Sequence, residues 1–405
     1  MRTGSTEDLL RSLKPGQRVF FQGGPGECVT FHDALKNDPG LINRLDLWSC
    51  LIPGINALDY GSLPNDHKLT TFMASLALEP SIASGRTQIM AMPYSQIGET
   101  LAKMEFDVAI FHVSPPNAEG ACSFGLSCDM PSLVWPNAER RVAFVNERMP
   151  HLPGAEGIPL EVIDLAIPIN EPLLAGSSPR RNTVVEKIAA RAAALIPDGA
   201  TIQSGIGDTP AAIAAALRLH RGLKVHSGII TGEYQQLAES GALDPDAEHV
   251  TGIAWGDGTF QAWLPRSGFL FRSALETHSH AKLAAIPNFV SIGSALEVDL
   301  AGNLNLEWRA GRRVSSIGGA PDYIRGASLS PGGRSIIALQ STSGGASRIV
   351  PALQAPSIPG ALIDTVVTEH GVAELRGLEG AARAAALTAI AAPEHRSFLE
   401  STKNI

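Results

Sequence analysis

Apolar residues at Leu9, Leu10 and Leu13 recur at helical spacing and stop at Pro15-Gly16. An apolar strand follows at Val19-Phe20-Phe21, then a turn, Gly23-Gly24-Pro25-Gly26, then a second helical stretch to Leu35. The same order returns near the middle of the chain. Val184 to Ile196 carries a longer helical pattern, Pro197-Asp198-Gly199 breaks it, and Thr201-Ile202-Gln203 reads as a strand. Gly205-Ile206-Gly207 is the matching turn, and Pro210 to Leu219 the matching helix. Laid over each other without a gap, the passages put Pro15 on Pro197 and Gly23 on Gly205. Glycine turns between strands and helices are common enough for a chance register. Duplication accounts for both matches, and it predicts an α/β chain of two similar open domains with the active-site cleft between them. The expected domains are residues 1–175 and 183–405. The expected linker, Asn170 to Asn182, is rich in Pro, Gly, Ser and Arg and has little apolar periodicity.

Each turn has a chemical reading beside a structural one. In the second, Thr209 is expected to cap the helix, Pro210 to take its first position and Gly222 or a neighbour to end it. Gly205 and Gly207 then let an anion approach unpaired backbone N–H groups at the positive end of the helix, although the Asp208 carboxylate competes for those donors. In the first turn, Gly23 and Gly24 offer backbone N–H groups to the oxygen of an attacked carbonyl. One such donor is worth roughly 3 to 4 kcal/mol in a transition state. The competing reading is a plain loop with Glu27 as a solvated residue at a helix start.

Composition narrows the classes without naming one. The 405 residues are 44% hydrophobic and 18% charged, as in a folded globular protein. A net charge of -8 disfavours nucleic acid and anionic membrane as partners but leaves room for a local phosphate site. No apolar run approaches the ~18 residues of a membrane span. The first residues lack the pattern of a secretory signal, so the cytoplasm is expected. Cys28, Cys50, Cys122 and Cys128 show neither metal-finger spacing nor disulfide density, and no metal is expected. Glu276-Thr277-His278-Ser279-His280 alternates imidazoles but has no third ligand spaced with them, so a solvated loop is expected. His112 belongs to the strand pattern Val108 to Val113, and Cys122 reads as a small packing residue.

Longer motifs add a resemblance. They are His112-Val113-Ser114-Pro115-Pro116 with Gly120-Ala121-Cys122-Ser123, then Val145-Asn146 and Met149-Pro150. Further on come Ser294-Ala295-Leu296-Glu297-Val298-Asp299-Leu300, Gly318-Gly319-Ala320-Pro321-Asp322-Tyr323, Ser335-Ile336-Ile337-Ala338-Leu339, Ser347-Arg348-Ile349-Val350-Pro351 and Val366-Val367-Thr368-Glu369-His370-Gly371-Val372-Ala373. In this order the series resembles the acetyl-CoA hydrolase/transferase family, of the class I CoA-transferase fold, over nearly the whole chain.

The resemblance implies acyl-CoA as substrate, a homodimer, and a glutamate that attacks the thioester and carries CoA as an enzyme thioester. It implies CoA contacts for Gly205, Gly207, Gly318, Gly319, Asp322 and Tyr323, and a place near the reacting carbonyl for Gly23 and Gly24. Ala320 and Tyr323 replace the family's usual Gln and Phe. In relatives the glutamate follows a His-Thr or Tyr-Thr pair; here the matching run is His226-Ser227-Gly228. Gly228 has no carboxylate. Direct acyl transfer or hydrolysis is therefore expected, with His226 as a base or Ser227 as a nucleophile. The alternatives are a CoA-transferase using a displaced carboxylate, Glu233 or Asp208, and a noncatalytic acyl-CoA-binding subunit. The thioester would be carried on CoA or on a carrier protein, with a small molecule as acceptor.

Overall fold

Strands with apolar residues on both faces need cover on both faces, which favours parallel sheets flanked by helices. Val19, Phe20 and Phe21 are all buried, as is most of Phe106–Val113. The computed structural model describes residues 2–402 except 153, 156, 178, 179 and 181; Ser178, Pro179 and Arg181 of the expected linker thus lie outside the described residues. The chain forms two units. One comprises Met1–Ser177, Val250–Thr277 and Val314–Ser316, and the other Ser178–His249, His278–Arg313 and Ile317–Ile405.

The first unit is built on an eight-stranded sheet in the order Arg2–Thr3, Leu165–Ile169, Ala138–Asn146, Phe106–Val113, Arg18–Phe21, Asp46–Trp48, Lys68–Thr71, Thr87–Ile89. Every pairing in it is parallel. Helices Thr6–Ser12 and Val29–Asn37 cover one face, and Leu9, Phe31 and Leu35 pack there with Val19, Phe21 and Phe144. Ser5 and Asp8 cap the first helix reciprocally, each side chain accepting the other's backbone N–H.

In the second unit the six-stranded sheet runs Lys224–Val225, Thr201–Ser204, Phe289–Gly293, Arg334–Ala338, Thr365–Thr368, Gly371–Glu374. Only the last pairing, a hairpin, is antiparallel. Arg383 ties its far side together by donating to the carbonyls of Ala301, Gly360, Ile363, Leu375 and Leu378.

Both sheets reverse their strand order beside the strand that precedes a glycine turn. Arg18–Phe21 lies between Phe106–Val113 and Asp46–Trp48, and Thr201–Ser204 between Phe289–Gly293 and Lys224–Val225. Open α/β sheets bind ligands at the carboxyl ends of strands at such switch points. Each unit therefore presents its glycine turn where this architecture supports a site.

Element boundaries differ from expectation in two places. The helix after the second turn spans Asp208–Ala216, and its N-cap is Gly207 at φ 118, not Thr209. Glycine's freedom at positive φ lets the chain enter the helix two residues early. Pro210 then sits third, still within the turn whose N–H groups have no intrahelical acceptor. The preceding helix, Thr183–Ala193, stops short of Ile196 and is capped by Asn182, whose side chain accepts from the Val185 N–H. Among the described residues no helix is long and apolar enough to cross a membrane.

Candidate functional site

At the switch point of the second unit, the two glycines of the turn have different reasons to be glycine. Gly207 needs its positive φ, whereas Gly205 has an ordinary φ and only open space where a Cβ would stand. The fold does not demand glycine at 205; a ligand approaching the backbone would. Asp208 is exposed, and one of its oxygens accepts the Arg180 backbone N–H at 3.0 Å.

The neighbouring strand delivers the His226-Ser227-Gly228 run to the same sheet end. The His226 backbone N–H donates to the Ile202 carbonyl at 3.2 Å, and its side chain is buried. Ser227 is fully buried and gives its hydroxyl proton to the Ile229 carbonyl at 2.7 Å, which stabilises a turn and leaves that proton on no base. Glu233 lies in the first turn of helix Gly232–Glu239, buried, where it accepts from the Thr231 hydroxyl at 2.6 Å.

Gly228 faces a filled space. A Cβ built on it would stand 2.5 Å from His278 Cε1 and 2.8 Å from the Tyr323 hydroxyl. The His278 ring lies 4.6 Å from that of Tyr323, centre to centre, and a Cβ on Gly319 would meet His278 Nε2 at 2.5 Å. Two glycines thus make room for one imidazole. Burial pushes the His278 pKa down to about 3, helped by the nearby charges of His226 and His280, so the ring is neutral at physiological pH. His280 Nε2 lies 3.1 Å from Asp322 Oδ1, joining an exposed imidazole to a fully buried carboxylate.

These positions correct the solvated loop expected over Glu276 to His280. Thr277 and His278 are buried, and only His280 reaches solvent well. Spacing along the chain concealed this, because the partners of His278 come from residues about 50 and 45 positions away in sequence. The alternation of histidines was the only local signal. Gly318 has φ 53 and opens helix Ala320–Leu329, which carries Asp322 and Tyr323 in its first turns.

The first unit holds a separate polar cluster. Gly23 is glycine because a Cβ would stand 2.2 Å from the Cys50 carbonyl oxygen, and Gly24 because its φ is 60. The Gly24 N–H, expected to face a carbonyl oxygen, donates to Asn56 Oδ1 at 3.0 Å. Glu27 is buried rather than solvated; burial raises its pKa to about 7, opposed by the hydrogen bond from Asn56 Nδ2 to Oε2 at 3.0 Å. Next to it, Cys28 Sγ lies 3.5 Å from Glu171 Oε1, and His112 Nε2 lies 3.9 Å from the same oxygen. Burial pushes the Cys28 thiol well above its usual range and the His112 imidazole down to about 4.

Residues 258–403 match the acetyl-CoA hydrolase/transferase C-terminal domain. Over 98% of its length the chain is 30% identical to the 4-hydroxybutyrate coenzyme A transferase of Clostridium kluyveri, 95% of which is covered. The 4-hydroxybutyrate CoA-transferase of Porphyromonas gingivalis has a crystal structure similar to this one at a TM-score of 0.82 and 30% identity, over 99% of this chain and 96% of that one. RipA from Yersinia pestis gives a TM-score of 0.91 at 25% identity, over 100% of this chain and 97% of that one.

Proposed function

The chain belongs to the acetyl-CoA hydrolase/transferase family and is an acyl-CoA-acting transferase or hydrolase, and we propose that it passes the acyl group directly to water or a small acceptor, with no glutamyl-CoA intermediate. The observation that carries this reading is the occupied space at Gly228. Not only is a carboxylate missing there; the His278 ring and the Tyr323 hydroxyl occupy the first atom's place. Each substitute carboxylate already holds a hydrogen bond within the protein. Glu233 is engaged by Thr231, and Asp208 points one oxygen at the Arg180 N–H.

In this reading His226 is the base. It takes the proton from water or acceptor as the new bond to the acyl carbon forms, and the proton returns to sulfur as the carbon–sulfur bond breaks. His278, neutral and packed against Tyr323, holds the space beside Gly228 closed. Ser227 positions the turn through Ile229. Gly205, Gly207, Gly318 and Gly319 form the acyl-CoA contacts, with Gly205 the clearest case because nothing in the fold requires glycine there; Asp322 and Tyr323, expected to share those contacts, are buried and support the site from behind.

An initial-rate grid of acyl-CoA against a protic acceptor, an amine or an alcohol, tests the reading. Direct transfer gives intersecting double-reciprocal lines, and His226→Gln lowers kcat by roughly 100-fold or more, the usual worth of a general base. Parallel lines, the mark of a covalent relay, together with loss of activity in Glu233→Gln or Asp208→Asn, would replace it with the displaced-carboxylate mechanism.

A further inference from the structure

Cys28, His112 and Glu171 stand 84 and 59 residues apart in the chain, yet their ligand-type atoms all lie within 4.8 Å of one another in the first unit. We propose that they form a site for one thiophilic divalent cation of the zinc class. The geometry fits. Metal bonds of about 2.0 to 2.3 Å in a tetrahedron place ligand atoms about 3.3 to 3.8 Å apart. The sulfur-to-carboxylate separation here is 3.5 Å and the imidazole-to-carboxylate separation 3.9 Å, both close to that range, and the sulfur-to-imidazole separation is no more than 4.8 Å.

The surrounding bonds orient the donors. Asn146 Nδ2 donates to His112 Nε2 at 2.9 Å and to the Glu171 carbonyl at 2.9 Å, while Asn146 Oδ1 accepts the Arg148 N–H at 3.1 Å. This arrangement fixes which end of the amide carries hydrogen and makes His112 Nε2 the acceptor nitrogen, so a cation takes that lone pair by displacing the Asn146 N–H. The Gly26 and Glu27 backbone groups lie near the same ring, whose buried Nδ1 makes no hydrogen bond among the described residues. Thr30 Oγ1 donates to the second Glu171 oxygen and aims the first at the other two donors.

Charge balance favours the ion over the empty cluster. Binding breaks the Cys28 S–H bond, forms a sulfur–metal bond and releases one proton to solvent. Thiolate and carboxylate then neutralise the cation, with His112 contributing a neutral lone pair. Three protein ligands leave a fourth position for water or a ligand oxygen, the arrangement of an open site rather than a closed structural one.

Cobalt(II) titrated into the full-length, chelator-treated protein tests this. We expect a single equivalent to bind with an intense near-ultraviolet sulfur-to-cobalt band, and zinc(II) to displace it. Cys28→Ser should abolish the band and His112→Ala should weaken binding by at least roughly 100-fold, with far-ultraviolet circular dichroism unchanged. Thr30→Val keeps all three ligands and should weaken binding by about 10-fold, which gives a reading even if the ligand variants do not fold. No cobalt uptake by the wild type, a spectrum without the sulfur band, or equal affinity in wild type and Thr30→Val would overturn the proposal.

Discussion

Adding one methyl group at Gly228 probes the packing of His278 and Tyr323 against this position. In Gly228→Ala the new carbon would stand 2.5 Å from His278 Cε1, whereas ordinary contact begins near 3.4 Å, so the ring must retreat by about 0.9 Å. It has little room to do so, since His278 is buried between Tyr323 and Gly319. Overpacking of this kind costs about 1 to 3 kcal/mol. Removing the obstacle should remove the cost. In a His278→Ala background the Tyr323 hydroxyl can move into the vacated space, and the same methyl group should cost less than about 0.5 kcal/mol. The cycle of wild type, two single variants and the double variant therefore yields a coupling of about 1 to 3 kcal/mol, read from urea unfolding midpoints at constant slope. A Gly228→Ala variant as stable as wild type, or one that costs the same in both backgrounds, would refute the claim that His278 fills this space.

Other consequences are independent of that cycle. Gly205→Ala should leave stability within about 0.5 kcal/mol, because its Cβ meets open space, while raising the KM for acyl-CoA; unchanged KM would argue against a ligand at that turn. Gly23→Ala should be severely destabilising, by about 3 kcal/mol or more in thermal melts, since its Cβ meets a backbone carbonyl that cannot rotate away. His278 makes stability fall in acid. Its folded pKa of about 3 lies below the unfolded value near 6.5, so the unfolded chain takes up the proton first and stabilisation present above pH 6.5 is lost on acidification. Between pH 6.5 and 5 this amounts to about 2 kcal/mol, and His278→Asn should flatten the melting profile by that amount. Arg383→Ala strands five carbonyls and should cost at least about 3 kcal/mol; Arg383→Lys, with fewer donors, should recover only part.

Local order along the chain was readable; tertiary neighbours were not. Strands Arg18–Phe21 and Thr201–Ser204, and the glycine turns after them, lie where hydrophobic runs and breakers put them, because these signals act over a few residues. The cap at Gly207 was missed because a positive φ leaves no mark beyond glycine itself. Glu27 looked solvated beside a turn, and its burial against the Asn56 side chain, 29 residues on, left no local mark. Gly228 stood out in the sequence, but the packing of His278 against it did not. The cluster of Cys28, His112 and Glu171 was hidden for the same reason, since each contributor comes from a different strand end or loop.

The most direct test of direct transfer is peptide mapping by mass spectrometry after the enzyme, incubated with acyl-CoA, is treated with borohydride or hydroxylamine. Direct transfer gives free CoA and turnover with every glutamate and aspartate unmodified. A reduced or hydroxamate-bearing carboxylate at Glu233, Asp208 or any other acidic residue would contradict it.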